Sequence, residues 1–167
     1  MVKGRVSRFV FAALVTWGLV VPGLAQASTP KVGDTIELPA VTLFDGTVVP
    51  AEVFKGKPVL IEYWASWCPF CNRQNPYWQK LHDSAQGKDI QVLSISIDKK
   101  PEDAHDYMRK HNYSFQAAME TPELRQIFGK RRVIPKVFVI DPNGKVLEVI
   151  PGEMFEEDVL DLIKYAR

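Results

Sequence analysis

The chain has 167 residues, 46% of them hydrophobic, with 21 basic residues against 20 acidic ones. That balance offers no polycationic surface for nucleic acid or an anionic membrane, and the apolar content is enough to fold. Only two cysteines are present, which excludes a disulfide-dense scaffold.

At the N-terminus, Lys3, Arg5 and Arg8 precede an apolar stretch from Phe9 to Val21, followed by Pro22-Gly23 and Ala25-Gln26-Ala27. A positive start, an apolar centre and a small-x-small site describe an export signal cleaved after Ala27. The apolar stretch is about 13 residues, short of the ~20 that a bilayer-spanning helix needs. Extension through Leu24 and Ala25 would make it an uncleaved anchor instead, and either outcome places the rest of the chain outside the cytoplasm, in a periplasmic or other extracytoplasmic space. Residues 28–167 are then a single domain, long enough for its own core. Loss of the three leader cations leaves 18 basic residues against 20 acidic ones.

Lys31-Val-Gly-Asp34 leads into two short apolar runs, Ile36 to Leu38 and Val41 to Phe44. Asp45-Gly46 turns the chain before Thr47 to Val49, so this segment reads as an N-terminal β-hairpin. Pro58 to Trp64 has strand composition. From Asn72 to Ala85, Trp78, Leu81 and Ala85 recur at helical spacing. Ile90 to Ile97 is a β-rich run ending at Asp98, and Pro101 to His111 carries Ala104, Tyr107, Met108 and His111 on one helical face. Thr121-Pro122-Glu123 is a helix start, with an N-cap and a proline in the first turn, and Gly129 is its stop. Lys136 to Ile140 and Lys145 to Ile150 alternate around Asp141-Pro-Asn-Gly144, a hairpin signal. Glu156 to Arg167 closes the chain as an amphipathic helix with Val159, Leu160 and Ile163 inward. Strands alternating with helices, then a hairpin and a last helix, predict an α/β sandwich around a mixed sheet.

The chemistry concentrates in Trp64-Ala-Ser-Trp-Cys-Pro-Phe-Cys71, which holds both cysteines. Strand, short loop, C-x-x-C and helix put the first sulfur at a helix N-terminus, where unsatisfied N–H groups and the helix dipole favour a thiolate. Cys68 is the expected nucleophile. A structural zinc site would need four ligands, and no second C-x-x-C or H-x-x-x-H accompanies the pair. A static disulfide across four residues would constrain the unfolded chain little. Paired thiolates also suit Cu(I), although no Met or His cluster lies nearby in sequence.

Pro58 to Cys71, Ile134-Pro135, the run Val137 to Asp141 and Gly144 together resemble the thioredoxin superfamily. Val32-Gly33-Asp34, the Asp45-Gly46 hairpin, the extra strand and helix between Asp98 and Ala118, and the leader are similar to its exported TlpA/ResA-like branch. The resemblance covers about residues 31–165 and implies a three-layer sandwich, a central mixed β-sheet flanked by helices, with the hairpin as an N-terminal extension. It also implies roles. Cys68 would attack a substrate disulfide and Cys71 would resolve the mixed disulfide. Glu62, six residues before Cys68, falls where thioredoxins keep a buried carboxylate behind the second cysteine, from which it would exchange a proton with Cys71; the sequence equally allows Glu62 to face solvent on an edge strand. Pro135 aligns with the proline whose preceding peptide bond is cis, a corner that faces the dithiol and offers backbone groups to the substrate. Trp67, Pro69, Phe70 and Ile134 would form the substrate surface, with Trp64 either beside the dithiol or in the core.

Two positions depart from the pattern. Gln74 stands where members devoted to cytochrome c maturation usually carry an acidic residue, which weakens that role. Lys136 stands where thioredoxins commonly have Thr, which puts a cation near the docking strand. Arg73 would either support a thiolate or simply lie in solvent. Pro69-Phe70 contains no cation, unlike the proline-histidine pair of strongly oxidising relatives, so the disulfide should be a weak oxidant. The expected activity is reduction or isomerisation of disulfides in exported proteins. An integral membrane thiol-disulfide electron donor would feed it, with the dithiol as the only redox group and the chain as a monomer. A disulfide-forming oxidase and a Cu(I) thiol chaperone are the alternatives. A peroxidase is disfavoured because Cys71 lies so close to Cys68 that resolution would compete with peroxide chemistry.

Overall fold

The structure is a computed structural model that describes residues 28–130 and 132–166; the leader expected over 1–27 lies outside them. The first elements are β1 (Val41–Thr42) and β2 (Val48–Val49), paired antiparallel. Their turn is closed by Asp45 Oδ1, which accepts the Thr47 N–H at 2.8 Å. There follow β3 (Val59–Trp64), α1 (Pro69–Ala85), β4 (Gln91–Ser96), α2 (Pro101–His111) and β5 (Ala117–Met119). The chain ends with α3 (Pro122–Phe128), β6 (Lys136–Ile140), β7 (Val146–Pro151) and α4 (Glu156–Asp161). The main sheet runs β5-β4-β3-β6-β7, with β4 parallel to β3 and β5, and β6 antiparallel to β3 and β7.

This is the thioredoxin-like fold with an N-terminal hairpin, and its central strand is β3. All six β3 residues are buried, because helices or loops cover both sheet faces. Leu60 and Trp64 pack with Trp78 and Leu81 of α1, Tyr107 of α2 and Val159 of α4. Val59, Ile61 and Tyr63 pack on the other face with Leu124 and Phe128 of α3 and with Leu38, Val41 and Phe54 of the N-terminal segment. Glu62 has the parity of Leu60 and Trp64, so it faces α1.

Several boundaries differ from the sequence reading. Helix α1 begins at Pro69, before the apolar spacing starts, because proline is pre-organised for the first helical position. Ile36 to Leu38 forms no strand; the segment is held by a bridge from Thr35 to Lys145 and by the Ile36 N–H donated to the Gly144 carbonyl at 2.9 Å. Gly144 has φ 80°, and a Cβ there would collide with the Ile36 carbonyl. The turn and the N-terminal segment therefore require glycine at this position. The last helix changes at Leu162 into a 3-10 turn, Leu162–Tyr165. Val159 and Leu162 are its buried residues, while Leu160 and Ile163 are half-buried.

Candidate active site

Cys68 is the N-cap of α1 in extended conformation (φ −86°, ψ 113°), and its sulfur accepts the Cys71 N–H at 3.2 Å. Its carbonyl accepts the Asn72 N–H at 3.0 Å, which starts the helix. Pro69 at the first helical position has no N–H to leave unsatisfied. Cys68 and Cys71 are joined as a disulfide with Cα atoms 5.2 Å apart.

The loop between β3 and Cys68 is held by Asp98, a buried residue just after β4. Asp98 Oδ2 accepts the Ser66 N–H at 3.0 Å and the Ser96 hydroxyl at 2.7 Å, and Oδ1 accepts the Ser66 hydroxyl at 2.7 Å. Three donors on one buried carboxylate fix the backbone two residues before Cys68. Asp98→Ala is expected to lower stability by about 3 kcal/mol, the scale of losing charged hydrogen bonds. It should also slow disulfide reduction; thermal unfolding and an insulin-reduction assay measure the two, and an unchanged melting point would deny Asp98 this anchoring role.

A cleft of about 550 Å³ opens over the first turn of α1, lined by Trp67, Cys68, Pro69, Phe70 and Ile134. Residues that the sequence did not single out complete it: Ile97, Arg132, Val133, Gly152 and Glu153. Cys71 is not part of the lining and is wholly buried. Trp67 (64% exposed), Phe70 (52%) and Val133 (48%) make an apolar rim. Cys68 Sγ lies 3.7 Å from the Ile134 carbonyl oxygen, and the Ile134–Pro135 peptide bond is cis. Pro135 carries no N–H, and its carbonyl accepts the Gly152 N–H at 2.9 Å. The Ile134 carbonyl of this corner therefore faces the sulfur.

Glu62 does not lie on an edge. It is fully buried on the central strand, where Gln74 Nε2 donates to Oε1 at 2.7 Å and the Ser94 hydroxyl donates to Oε2 at 3.4 Å. Burial pushes its carboxyl from 4.5 up to about 8, against the opposing pull of those two hydrogen bonds. Gln74 is one helical turn beyond Cys71, so Cys71 and the carboxyl share the α1 face of the sheet. Trp64 is core, tilted against Tyr107 at 5.2 Å and edge-on to Phe115 at 6.2 Å between ring centroids.

The structure places the two cations singled out in the sequence. Lys136 extends its Nζ over the Phe138 ring at 5.3 Å, on the face that carries α3, and not into the cleft. Arg73 is the solvated helix residue expected, its side chain 54% exposed, and it makes a two-pronged bridge to Glu153, Nε to Oε1 at 2.7 Å and Nη2 to Oε2 at 2.6 Å. Its guanidinium also lies 4.8 Å from the centroid of Phe70, so the cleft wall is braced against α1. A larger groove of about 840 Å³, between the hairpin and α2, contains neither cysteine; the chemistry resides in the smaller cleft.

Residues 31–163 match the sequence profile of the family described as Redoxin. The chain belongs to the redoxin family. This redoxin is similar to the thiol-disulfide oxidoreductase ResA of Bacillus subtilis, 25% identical over 154 residues that cover 88% of this chain and 85% of the relative. It is also similar to ResA of Bacillus thuringiensis subsp. konkukian, 26% identical over 125 residues, 74% and 72% of the two chains. A solved structure of a putative thiol:disulfide interchange protein DsbE from Chlorobium tepidum aligns with a TM-score of 0.70 at 27% identity, covering 82% of this redoxin and 97% of that chain. StoA from Bacillus subtilis aligns with a TM-score of 0.68 at 17% identity over 77% and 98% of the two chains, which concerns the fold alone. In this redoxin the C-x-x-C pair Cys68–Cys71 is the redox-active dithiol.

Proposed function

We propose that residues 28–167 form one domain, exported by the leader, that reduces or isomerises disulfides of extracytoplasmic proteins. The observation that carries this reading is the asymmetry of the two sulfurs: both residues are buried, but Cys68, 2% exposed at the helix N-cap, lines the open cleft, and Cys71 does not. Cys68 thiolate attacks a substrate sulfur; the new S–S bond forms as the substrate disulfide breaks, and the departing substrate thiolate takes a proton. Cys71 then gives its proton to the ionised form of Glu62 and attacks Cys68 Sγ; the bond from Cys68 to the substrate breaks, and the second substrate thiolate leaves and takes up a proton. The substrate gains two electrons and the Cys68–Cys71 disulfide is left. A membrane-embedded thiol-disulfide donor would return the electrons. Trp67, Phe70 and Ile134 supply the apolar surface on which the substrate chain lies, with Pro69 and the cis Ile134–Pro135 corner framing the sulfur.

Equilibration of the purified protein in glutathione or dithiothreitol buffers, with thiol trapping read by mass, measures the potential of the pair. With Pro69-Phe70 between the sulfurs, a value toward the thioredoxin end, about −270 mV, is expected; a value near about −120 mV would make the protein an oxidase instead. Tight stoichiometric Cu(I) binding by the reduced protein, lost in both Cys68→Ser and Cys71→Ser and accompanied by no reductase activity, would replace the enzyme reading with a copper chaperone.

A further inference from the structure

The side chain of Gln74 is buried between two partners that fix which way round its amide stands. Its Oε1 accepts the Met154 backbone N–H at 2.7 Å. A backbone N–H can only donate, so the end of the amide facing Met154 must be the oxygen. The Nε2 end is then forced toward Glu62, 2.7 Å from Oε1. An amide NH₂ only donates as well, so Oε1 must act as an acceptor whether the carboxyl is charged or neutral. When Glu62 is protonated, the proton therefore occupies Oε2, whose neighbour at 3.4 Å is the Ser94 hydroxyl. A hydroxyl donates to a carboxylate and accepts from a carboxyl by rotating, so protonation requires no movement of Gln74.

We propose that Gln74 is a positioning residue for Glu62: locked by the Met154 N–H, it gives Oε1 a permanent donor and leaves Oε2 as the oxygen that takes up and releases the proton. Met154 directly follows Gly152 and Glu153 of the cleft wall, so the same amide ties the buried carboxyl to the segment beside the substrate. Other titratable groups face Glu62 from α1 and from the α2 side. Cys71 lies one turn before Gln74, and Tyr107 and the following Tyr113 both feel the Glu62 charge. The tyrosines are held above their ordinary range, chiefly by burial, and neither sulfur titrates in the disulfide form. The oxidised protein thus isolates Glu62. The Gln74 hydrogen bond favours the carboxylate, so removing it must raise the midpoint.

The inference rests on Glu62 as the proton partner of Cys71, and its test reads the carboxyl apart from turnover. In oxidised full-length protein labelled with ¹³C at Glu carboxyls, the Glu62 resonance should titrate near about 8. In Gln74→Leu the midpoint should rise by about one pH unit, a tenfold change in the ionisation constant. Ser94→Ala should move it less, because that partner is the more distant of the two. In the unmutated protein the Gln74 side-chain amide protons should follow the same midpoint, a readout that needs no variant to fold. A folded Gln74→Leu with an unmoved midpoint, or amide protons indifferent to Glu62, would overturn the proposal. A midpoint that moves while the pH profile of turnover does not would leave Gln74 in its role and remove Glu62 from catalysis.

Discussion

Cys71→Ser is expected to halt turnover at the mixed disulfide and to accumulate covalent complexes between Cys68 and its substrates, whereas Cys68→Ser should accumulate none. The cleft geometry gives the reason. A substrate disulfide entering between Trp67, Phe70 and Ile134 meets Cys68, the sulfur at the helix N-cap, while Cys71 lies buried beneath it. Once Cys68 has attacked, resolution falls to a thiol held on the same helical turn, and well-oriented intramolecular groups react as if present at about 10⁵ M or more. Serine at position 71 cannot replace that thiolate, so the mixed disulfide persists. Loss of the nucleophile itself should lower insulin reduction by on the order of 10³-fold or more. Non-reducing electrophoresis and mass measurement of intact complexes read both outcomes. Complexes trapped by Cys68→Ser instead would reverse the two roles. Neither variant should be much less stable than the parent protein, because a disulfide that closes so short a loop restricts the unfolded chain little.

The sequence displays its strands and caps because those signals are local. Thr121 caps α3 by accepting the Leu124 N–H at 3.2 Å, Pro122 opens the helix and Gly129 ends it. Asp141 binds the Asn143 and Lys145 N–H groups at 2.7 and 2.9 Å to make the last hairpin turn. Each of these spans at most a few residues. The setting of Glu62 is of another kind. A strand buried on both faces loses the two-residue alternation that would show which way a polar residue points, and β3 is buried at every position. The sequence marks Gln74 only as a departure from the family pattern and not as a partner of Glu62, because Glu62 and Met154 are 12 and 80 residues away. Asp98 hides its purpose for the same reason, with Ser66 lying 32 residues before it. The C-x-x-C motif names the chemistry, whereas the groups that tune it come together only through sheet register and helix docking.

Glu62→Gln is expected to make the protein more resistant to unfolding at alkaline pH while slowing its turnover, and both effects arise from one buried carboxyl. Folding raises that carboxyl from 4.5 to about 8, mainly by burial. Below 4.5 it is protonated in both the folded and the unfolded chain and sets no pH dependence. Between 4.5 and 8 the unfolded chain has released its proton and the folded chain still holds it, so stability falls as pH rises; above 8 the loss is complete. Each tenfold change in an ionisation constant corresponds to about 1.4 kcal/mol, so the whole loss is on the order of 5 kcal/mol. A glutamine at position 62 keeps an oxygen for Gln74 Nε2 and offers its amide to the Ser94 hydroxyl, so it fits the site without titrating. Denaturant unfolding of the two oxidised proteins should give stabilities within about 1 kcal/mol of each other at pH 5 and a variant ahead by several kcal/mol at pH 9. Turnover should fall by about 10²-fold at pH 8 and above, where Glu62 is ionised and can accept the Cys71 proton, and by less at lower pH. A stability difference that stays flat from pH 5 to pH 9 would mean that the folded protein does not hold this proton, and Glu62 would then have no means of exchanging it with Cys71 near neutrality.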